Sequence, residues 1–307
     1  MEQRASAGRR AAEESAGMWY GLLGVLGFSL TLPVTRVAVA YLDPTIVGLG
    51  RALVAAVLAG GLLLLTRQRR PTAGEWRSLA LVVFGVILGF PLLSAWALRQ
   101  VSATHSAIMI GLLPLATALA ATLRHGERPS PQFWLAGLAG SAAVLGFALY
   151  NGLGGLQLAD LALLGAVAAG AVGYAEGGQL ARTLGSWQVI CWALVLGAPF
   201  ISLPVAWAIS QHGLAAPPSA WLGFAYVAVV SQFVAFFAWY RGLALGGVAR
   251  VSQIQLLQPF FTLAASAALL HESITYGTIL VALVVMLAVA IGRRAPVARP
   301  RELQSRT

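Results

Sequence analysis

The sequence PLATALAATLRHGE extends from Pro114 to Glu127, and PFFTLAASAALLHE extends from Pro259 to Glu272. In each copy a proline within an apolar run is followed thirteen residues later by a glutamate, and the two prolines lie 145 residues apart. Recurrence of one pattern at a distance is the mark of an internal repeat. The sequence therefore predicts two halves of equivalent structure.

The composition predicts an integral membrane protein. Of the 307 residues, 59% are hydrophobic and 10% are charged, and the mean hydropathy is +0.80. A soluble domain has about 25% charged residues. Because so few ionisable groups cannot cover a water-soluble fold, lipid must surround most of the chain.

Ten apolar runs are long enough to cross a bilayer, which takes about 20 residues in a helix. The runs are Met18–Ala40, Pro44–Thr66, Ser78–Leu98, Ala103–Leu123, Gln132–Tyr150, Leu158–Gln179, Gln188–Ile209, Ala220–Tyr240, Val248–Leu270 and Ile274–Gly292. They are continuous rather than alternating, which argues against a β-barrel. The predicted fold is all-α, with ten transmembrane helices.

Each half of the chain contains five of these runs. The first repeat is Met18–Tyr150 and the second is Leu158–Gly292, with tails at residues 1–17 and 293–307. Because five is an odd number, the second half must enter the membrane from the opposite side, which makes the repeat inverted. Inverted repeats are typical of secondary transporters.

The basic residues predict the orientation. The formal charge is +10, and all twenty basic residues are arginines. On the predicted topology Arg99 lies on one side, Arg36 and Arg51 fall within runs, and the other seventeen share the opposite side. The seventeen are Arg4, Arg9, Arg10, Arg67, Arg69, Arg70, Arg77, Arg124, Arg128, Arg182, Arg241, Arg250, Arg293, Arg294, Arg299, Arg301 and Arg306. Such an excess marks the cytoplasmic side, so we expect a multi-pass protein of the cell membrane with both termini in the cytoplasm.

Nucleic acid is not a predicted partner, because the arginines lie between apolar runs and form no basic face interleaved with aromatic residues.

A longer motif surrounds the first copy of the repeat. The segment Ala97–Ala103 leads through Leu113-Pro114-Leu115 to Gly126-Glu127-Arg128, whereas the second copy has His271-Glu272 in place of Gly-Glu. This pattern resembles the helix-four signature of the EamA family, within the drug/metabolite transporter superfamily. The resemblance covers roughly Met18 to Gly292. It implies ten helices, a central cavity between the halves, and transport, usually export, of a small organic metabolite, amino acid or drug-like solute.

Glu176 is the one acidic residue that the prediction places inside a span. A carboxylate at a helix centre costs roughly 2.5–3.5 kcal/mol on insertion scales, so it tends to persist where it has a role. One interpretation is proton coupling or cation recognition, which makes protons a candidate coupling ion. The other is an ion pair with an arginine such as Arg182 or Arg250, and the sequence favours neither.

Arg36 and Arg51 lie within the first two runs, on either side of Asp43. A fixed guanidinium can capture a carboxylate or phosphate, but it can also extend to the headgroups or pair with Asp43. For Arg51 we favour the structural role. For Arg36 we favour solute binding, because Ser29, Pro33 and Arg36 share one helical face.

The ninth run has one polar stripe on an apolar helix. Its members recur every three to four residues: Ser252, Gln255, Gln258, Thr262 and Ser266. Lipid would penalise the stripe, so it must face protein or water. We expect a cavity wall, with hydrogen bonding between helices as the alternative. Companion residues predicted for the wall are Trp96, Gln232 and Trp239.

No catalytic residue, metal site or cofactor is predicted. The four histidines lack metal-ligand spacing, the lone Cys191 lies in an apolar run, and no nucleophile has an obvious base. The rival functions are a membrane receptor or scaffold that does not transport, and an intramembrane enzyme. The predicted partners are a small solute and the lipid bilayer, and the sequence does not define the oligomeric state.

Overall fold

The computed structural model describes residues 2–150, 157–271, 276, 277, 279, 280, 283, 284, 287, 297 and 298. This part of the chain consists of helices, connecting turns and loops, and two short strands. Strand β1, Arg128–Pro129, pairs antiparallel with β2, Val297–Ala298.

Nine long helical segments follow one another in the described residues. They are α1 (Ala12–Val39), α2 (Pro44–Leu65), α3 (Ala73–Leu98), α4 (Ala103–His125), α5 (Pro131–Tyr150), α6 (Leu158–Leu180), α7 (Ser186–His212), α8 (Pro218–Gly246) and α9 (Val248–Leu270). The search of the described residues finds eight candidate membrane spans by length and hydropathy, namely α1 to α4 and α6 to α9. The nine segments coincide with the first nine predicted runs. The tenth run, Ile274–Gly292, lies mostly outside the described residues.

The first helix is longer than its apolar run. Its backbone is helical from Glu2 to Ser29, whereas the run begins at Met18. Residues 2–17 are rich in alanine, glutamate and arginine, which have high helix propensity. The segment that we expected to be an N-terminal tail therefore continues the first helix. The helix is interrupted at Leu30 and resumes as Thr31–Val39.

Breaks in four helices repeat between the halves. In α3 the α-helices Ala73–Val82 and Phe90–Leu98 flank a π-helical segment, Val83–Gly89; in α8, Pro218–Ala225 and Ala235–Gly246 flank another, Tyr226–Val234. Helix α4 consists of Ala103–Ile110 and Leu113–His125, and α9 consists of Val248–Ser252, the 3-10 turn Gln253–Leu257 and Gln258–Leu270. The third and eighth helices thus share one irregularity, and the fourth and ninth share another.

The repeated motif has a common local structure. Pro114 and Pro259 each occupy the second position of a thirteen-residue helix, where a missing N–H removes no helical hydrogen bond. These helices end in left-handed residues, Gly126 at φ 66° and His271 at φ 54°. Glycine suits that conformation best, and the second copy adopts it with histidine.

The helices pack across the two halves in a symmetric pattern. Helix α1 packs on α8, α3 on α6, α2 on α7 and α4 on α9. Each helix of the first half corresponds to the helix five positions later in the second half. This correspondence turns the α1–α8 contact into the α6–α3 contact, and it turns the α2–α7 and α4–α9 contacts into themselves. A two-fold axis between the halves gives this pattern.

Polar contacts join the halves at both ends of the bundle. At the end that holds most of the loop arginines, hereafter the arginine-rich end, Arg69 donates to the Thr183 carbonyl at 3.3 Å and Gln188 donates to Gln68 at 3.1 Å. At the opposite end His212 lies 3.5 Å from Asp43. The two ends enclose the centre of the bundle between them.

Candidate functional site

A central cavity lies between the halves, where α1, α2, α3, α4, α6, α8 and α9 converge. Its volume is about 20 Å³, which is space for about one water molecule. The lining residues are Phe28, Thr31, Leu32, Arg51, Val86, Phe90, Leu113, Tyr174, Ser231, Gln232, Phe236 and Gln258. The wall is thus mainly apolar and aromatic, with a few polar groups from both halves.

The two π-helical segments meet at this cavity. Gln232 is 1% exposed, and its Nε2 donates to the Val86 carbonyl at 3.1 Å. Each residue belongs to the π-helical segment of its own helix. A π turn shifts the backbone ladder, and such turns frequently occur at functional sites. The hydrogen bond therefore joins the equivalent irregularities of the two halves across the cavity.

Arg51 projects from α2 into the cavity wall and is 3% exposed. Its Nε has no hydrogen-bond partner, and no ion pair with Arg51 occurs among the described residues. Tyr174 lines the same cavity. The structural role that we favoured for Arg51 is wrong: Asp43 instead approaches Arg99 at 4.0 Å and His212 at 3.5 Å.

Helix α9 supplies one side of the site. Gln255, Gln258 and Thr262 line a second space of about 10 Å³ that shares Leu32 and Leu113 with the central cavity. Gln255 is 2% exposed, and its amide lacks a well-formed hydrogen bond although it lies beside Tyr174. A buried amide without a full set of partners is costly, so this one is available to a ligand.

Other members of the polar stripe join helices. Thr262 donates to the Ser29 carbonyl at 2.8 Å, where α1 is interrupted. Ser252 donates to the carbonyls of Ala249 at 3.0 Å and Pro114 at 3.4 Å. The stripe thus combines the two roles considered from the sequence, a wall and a set of contacts between helices.

An aromatic cluster closes the cavity beside α8. Phe28 lies 5.0 Å from Phe236 and 6.2 Å from Trp239, and Tyr174 lies 5.3 Å from Trp239, all between ring centroids. Trp239 is fully buried, and its Nε1 has no partner. Trp239, which we predicted for the cavity wall, packs against Phe28 and Tyr174 and does not itself line the cavity. The sequence did not indicate Phe28, Tyr174 or Phe236, because an aromatic residue in an apolar helix gives no sign of which way it faces.

Three residues that we predicted for the cavity wall lie elsewhere. Arg36 donates from Nη1 to the Leu98 carbonyl at the end of α3. Trp96 lines an open groove of about 690 Å³ near Asp43 and Arg99. The Ser29 hydroxyl donates to the Val25 carbonyl at 2.6 Å within its own helix. Nearby backbone carbonyls accept the hydrogen bonds of Arg36 and Ser29. Trp96 is too near the end of α3 to reach the centre of the bundle.

The carboxylates of the arginine-rich end pair across the halves. Glu176 pairs with the Nε of Arg124, and His125 lies 3.5 Å from it. The ion pair was one of our two interpretations, although the partner is neither Arg182 nor Arg250. Glu176 is 3% exposed and does not line the central cavity.

Glu127 caps the start of α9. It is 3% exposed, and its carboxylate accepts hydrogen bonds from the backbone N–H groups of Val248 at 3.1 Å and Ala249 at 2.8 Å. Arg182 lies 3.7 Å away. An anion is stabilised at a helix N-terminus by the unpaired N–H groups and the dipole. The glutamate of the repeated motif therefore holds the partner helix of the other half. Its counterpart, Glu272, lies outside the described residues.

The opposite end contains a partly buried histidine next to a buried aspartate. His105 Nε2 lies 2.6 Å from Asp160, which is 2% exposed. Asp160 also accepts a hydrogen bond from the Gln157 N–H at 2.9 Å. The pair joins α4 of the first half to α6 of the second. Among the residues that the structure describes, no group of three or more His, Cys, Asp or Glu could hold a metal ion.

Comparisons with known proteins agree with this architecture. The profile of the EamA-like transporter family matches residues 15–149 and 157–292. The "Uncharacterized transporter YdeK" of Bacillus subtilis (strain 168) is 48% identical over 275 residues, which are 89% of this chain and 96% of the relative. The "Probable terminal-alkyne amino-acid exporter" of Streptantibioticus cattleyicolor is 30% identical over 254 residues, 80% of this chain and 82% of the relative.

A solved crystal structure that is 16% identical aligns with a TM-score of 0.71 over 92% of this chain and 99% of its own. At that identity the likeness concerns the fold alone.

Proposed function

Because the chain belongs to the EamA-like transporter family, we propose that it is a secondary transporter that moves a small organic solute through the central cavity. The main observation in support is the position of that cavity, which both halves line and polar contacts enclose at both ends. A cavity at the interface of two repeats can open to either side when one half rocks against the other. Alternating access is therefore the proposed mechanism.

The proposed topology has ten helices in two inverted five-helix repeats, with both termini in the cytoplasm of a cell-membrane protein. The seventeen arginines on one side support it. In the structure Arg69, Arg124, Arg182 and Arg250 all take part in contacts at one end of the bundle. On this topology that end faces the cytoplasm.

The proposed solute is a metabolite, amino acid or drug-like compound, and the proposed direction is export. One relative is named as an amino-acid exporter, which supports this class. Gln232 and Gln258 on the cavity wall, with Gln255 and Thr262 beside it, supply amide and hydroxyl groups for the polar part of the solute. Phe28 and Phe236 supply an apolar surface for the rest.

Proton coupling through Glu176 completes the proposal. Its carboxylate lies at the arginine-rich end, in contact with Arg124 and His125 from the other half. Protonation would remove its charge and weaken a contact between the halves, so it would favour opening at that end.

Solute counterflow in proteoliposomes tests the transport function. We expect liposomes loaded with an unlabelled L-amino acid mixture to take up labelled leucine, methionine or phenylalanine faster than empty liposomes do. Absence of counterflow with binding intact would favour a receptor or scaffold. Chemical conversion of the solute without flux would favour an enzyme.

A further inference from the structure

Among the described residues that line the central cavity, Arg51 is the one basic residue. No aspartate or glutamate is present in the same lining. A desolvated guanidinium without an anion nearby is costly, and the other buried or half-buried arginines of the bundle avoid that cost. Arg36 donates to the Leu98 carbonyl and Arg250 pairs with Glu14. The described cavity lining therefore supplies no anionic group to balance the positive charge of Arg51.

We propose that Arg51 binds the carboxylate of the transported solute, so that the substrates are small monocarboxylates with an apolar body. The inference rests on the proposed transport function and specifies its substrate class. A guanidinium forms paired hydrogen bonds with a carboxylate, and the Nε of Arg51 has no hydrogen-bond partner among the residues that the structure describes.

The surroundings of Arg51 favour a single negative charge. A phosphate dianion would need further cations, and the lining contains none besides Arg51. Tyr174, which lines the same cavity as Arg51, and the buried Gln255 amide beside it provide neutral donors for the second carboxylate oxygen. Beyond these groups the wall consists of rings and aliphatic side chains, Phe28, Phe90 and Phe236 among them.

The two halves share this subsite. Arg51 lies on α2 in the first half, and Tyr174 and Gln255 lie on α6 and α9 in the second. A carboxylate held between them would contact both halves at once. Its binding energy would then depend on how the halves are arranged, as solute-driven alternating access requires.

The test compares amino acids with their carboxamides, which lack the carboxylate charge but keep the α-amine, on the purified full-length protein. The probes are L-leucine, L-methionine and L-phenylalanine, their carboxamides, and inorganic phosphate, and the readout is the thermal unfolding midpoint in detergent. A bound ligand raises the midpoint by mass action. We expect at least one acid to raise it, and its carboxamide and phosphate to leave it unchanged. Arg51→Gln should weaken binding of that acid at least tenfold, and Arg51→Lys should weaken it less.

Two matched variants separate binding from folding. Arg51→Met should keep or raise the midpoint without solute, because it removes an unpaired buried charge. Arg36→Met should lower the midpoint, because it removes the donor to the Leu98 carbonyl, and Arg36→Gln should still respond to the acid.

Several results would overturn the assignment. They are no response to any of the three acids, an equal response to the carboxamides, a response to phosphate instead, or normal acid binding by Arg51→Gln. Counterflow of the carboxamides alone would reject the carboxylate subsite and leave the transport function intact. Acid binding that requires Arg51, without counterflow of any probe, would reject transport and leave the subsite intact.

Discussion

Amide side chains are the main polar groups that α9 contributes to the cavity wall. The free-energy cost of burying an amide in an apolar bundle depends on whether it finds hydrogen-bond partners. Gln258 is 8% exposed and lines both the central and the adjoining space, and Gln255 is 2% exposed with its amide poorly satisfied. Solute is one way to satisfy such groups. A residue of this kind contributes more to binding than to folding, since its hydrogen-bonding capacity is not used within the protein.

Gln255→Leu and Gln258→Leu should therefore impair transport more than membrane insertion. Replacing the amide by an alkyl group of similar size removes a buried polar group without opening a space, so folding in lipid should not suffer. Loss of one hydrogen bond to solute predicts about a tenfold fall in affinity. Counterflow and the yield of folded protein are the measurements, with exposed Gln211→Leu as the control. Normal transport by both variants would make the stripe purely structural.

Glu176→Gln should remove the dependence of transport on a pH gradient. The amide keeps the shape of the side chain but cannot take up a proton, and the loss of its ion pair with Arg124 should cost little, because the Arg124 side chain is 45% exposed. Flux in proteoliposomes with and without an imposed gradient is the measurement.

Arg124→Gln is the matched control for this prediction, because it breaks the same ion pair and leaves the carboxylate. It should retain the gradient dependence. If Glu176→Gln also retains it, and only the unfolding midpoint falls, Glu176 is a structural ion-pair partner. If the wild type itself ignores the gradient, protons are not the coupling ion.

The contrast between Arg36 and Arg51 shows where sequence reasoning about the site ends. Both lie in apolar runs on either side of Asp43, and α2 is apolar around its whole circumference, so periodicity could not indicate which face turns inward. The position of Gln258 was easier to predict, because a polar stripe on an apolar helix defines a face. Aromatic lining residues such as Phe236 left no such signal.

At the scale of the element, the start of α9 depends on the other half of the molecule. Gly247 precedes the helix and provides no side chain, and the buried Glu127 accepts the first N–H groups instead. Because the capping residue belongs to the other half, the stability of this helix end depends on the contact between the two halves. This explains in physical terms why a glutamate follows the fourth helix of the repeat.

Glu127→Ala should lower the free energy of unfolding by about 0.5–2 kcal/mol, as expected for loss of a helix cap. Glu127→Gln should lower it less, since its amide oxygen can still accept one N–H. Thermal or denaturant unfolding in detergent measures the change. Glu14→Ala is the control, because its carboxylate is 36% exposed and pairs only with Arg250. An equal loss in Glu14→Ala would show that charge at this end, rather than the cap, matters.

The π-helical segment of α3 packs tightly against α6. A Cβ at Gly85 would lie 2.5 Å from the Ala169 carbonyl oxygen and 2.7 Å from the Gly173 Cα. Both neighbours are backbone atoms, so Gly85→Ala must separate the helices and should destabilise the fold by about 1–3 kcal/mol. Gly61→Ala is the control, because nothing lies within 4 Å of its Cβ position. Unfolding midpoints of both variants test the packing, and equal midpoints would contradict it.

Hydropathy predicted the positions of nine helices but not their interruptions. The run Ser78–Leu98 gives no sign of the π segment Val83–Gly89, because a π turn changes the backbone hydrogen bonds and not the hydrophobic pattern. The run Ala103–Leu123 was predicted as one helix, whereas the structure places a break just before Leu113-Pro114. The helix that begins at Glu2 was missed because its first residues are polar and follow helix propensity rather than hydropathy.

At the scale of the whole molecule, contacts join the two halves at both ends of the bundle. His105 and Asp160 join the halves at one end, and Glu127 and Glu176 join them at the arginine-rich end. Both sets are present in this structure, and the central cavity is closed. Alternating access requires that either set can separate while the other holds. The direction of transport then depends on which end faces the cytoplasm.

Cysteine labelling determines that orientation. Cys191 is fully buried, so a Cys191→Ala background removes the native thiol. Gly74 lies exposed at the start of α3, at the arginine-rich end, and Gln211 lies exposed near the end of α7, at the opposite end. Gln211→Cys should react with an impermeant maleimide in intact cells. Gly74→Cys should react only after permeabilisation, because arginine-rich loops stay in the cytoplasm. Labelling of Gly74→Cys but not Gln211→Cys in intact cells would invert the topology and place Glu176 on the outer side. Labelling of both would mean that the two ends are not on opposite sides of the membrane.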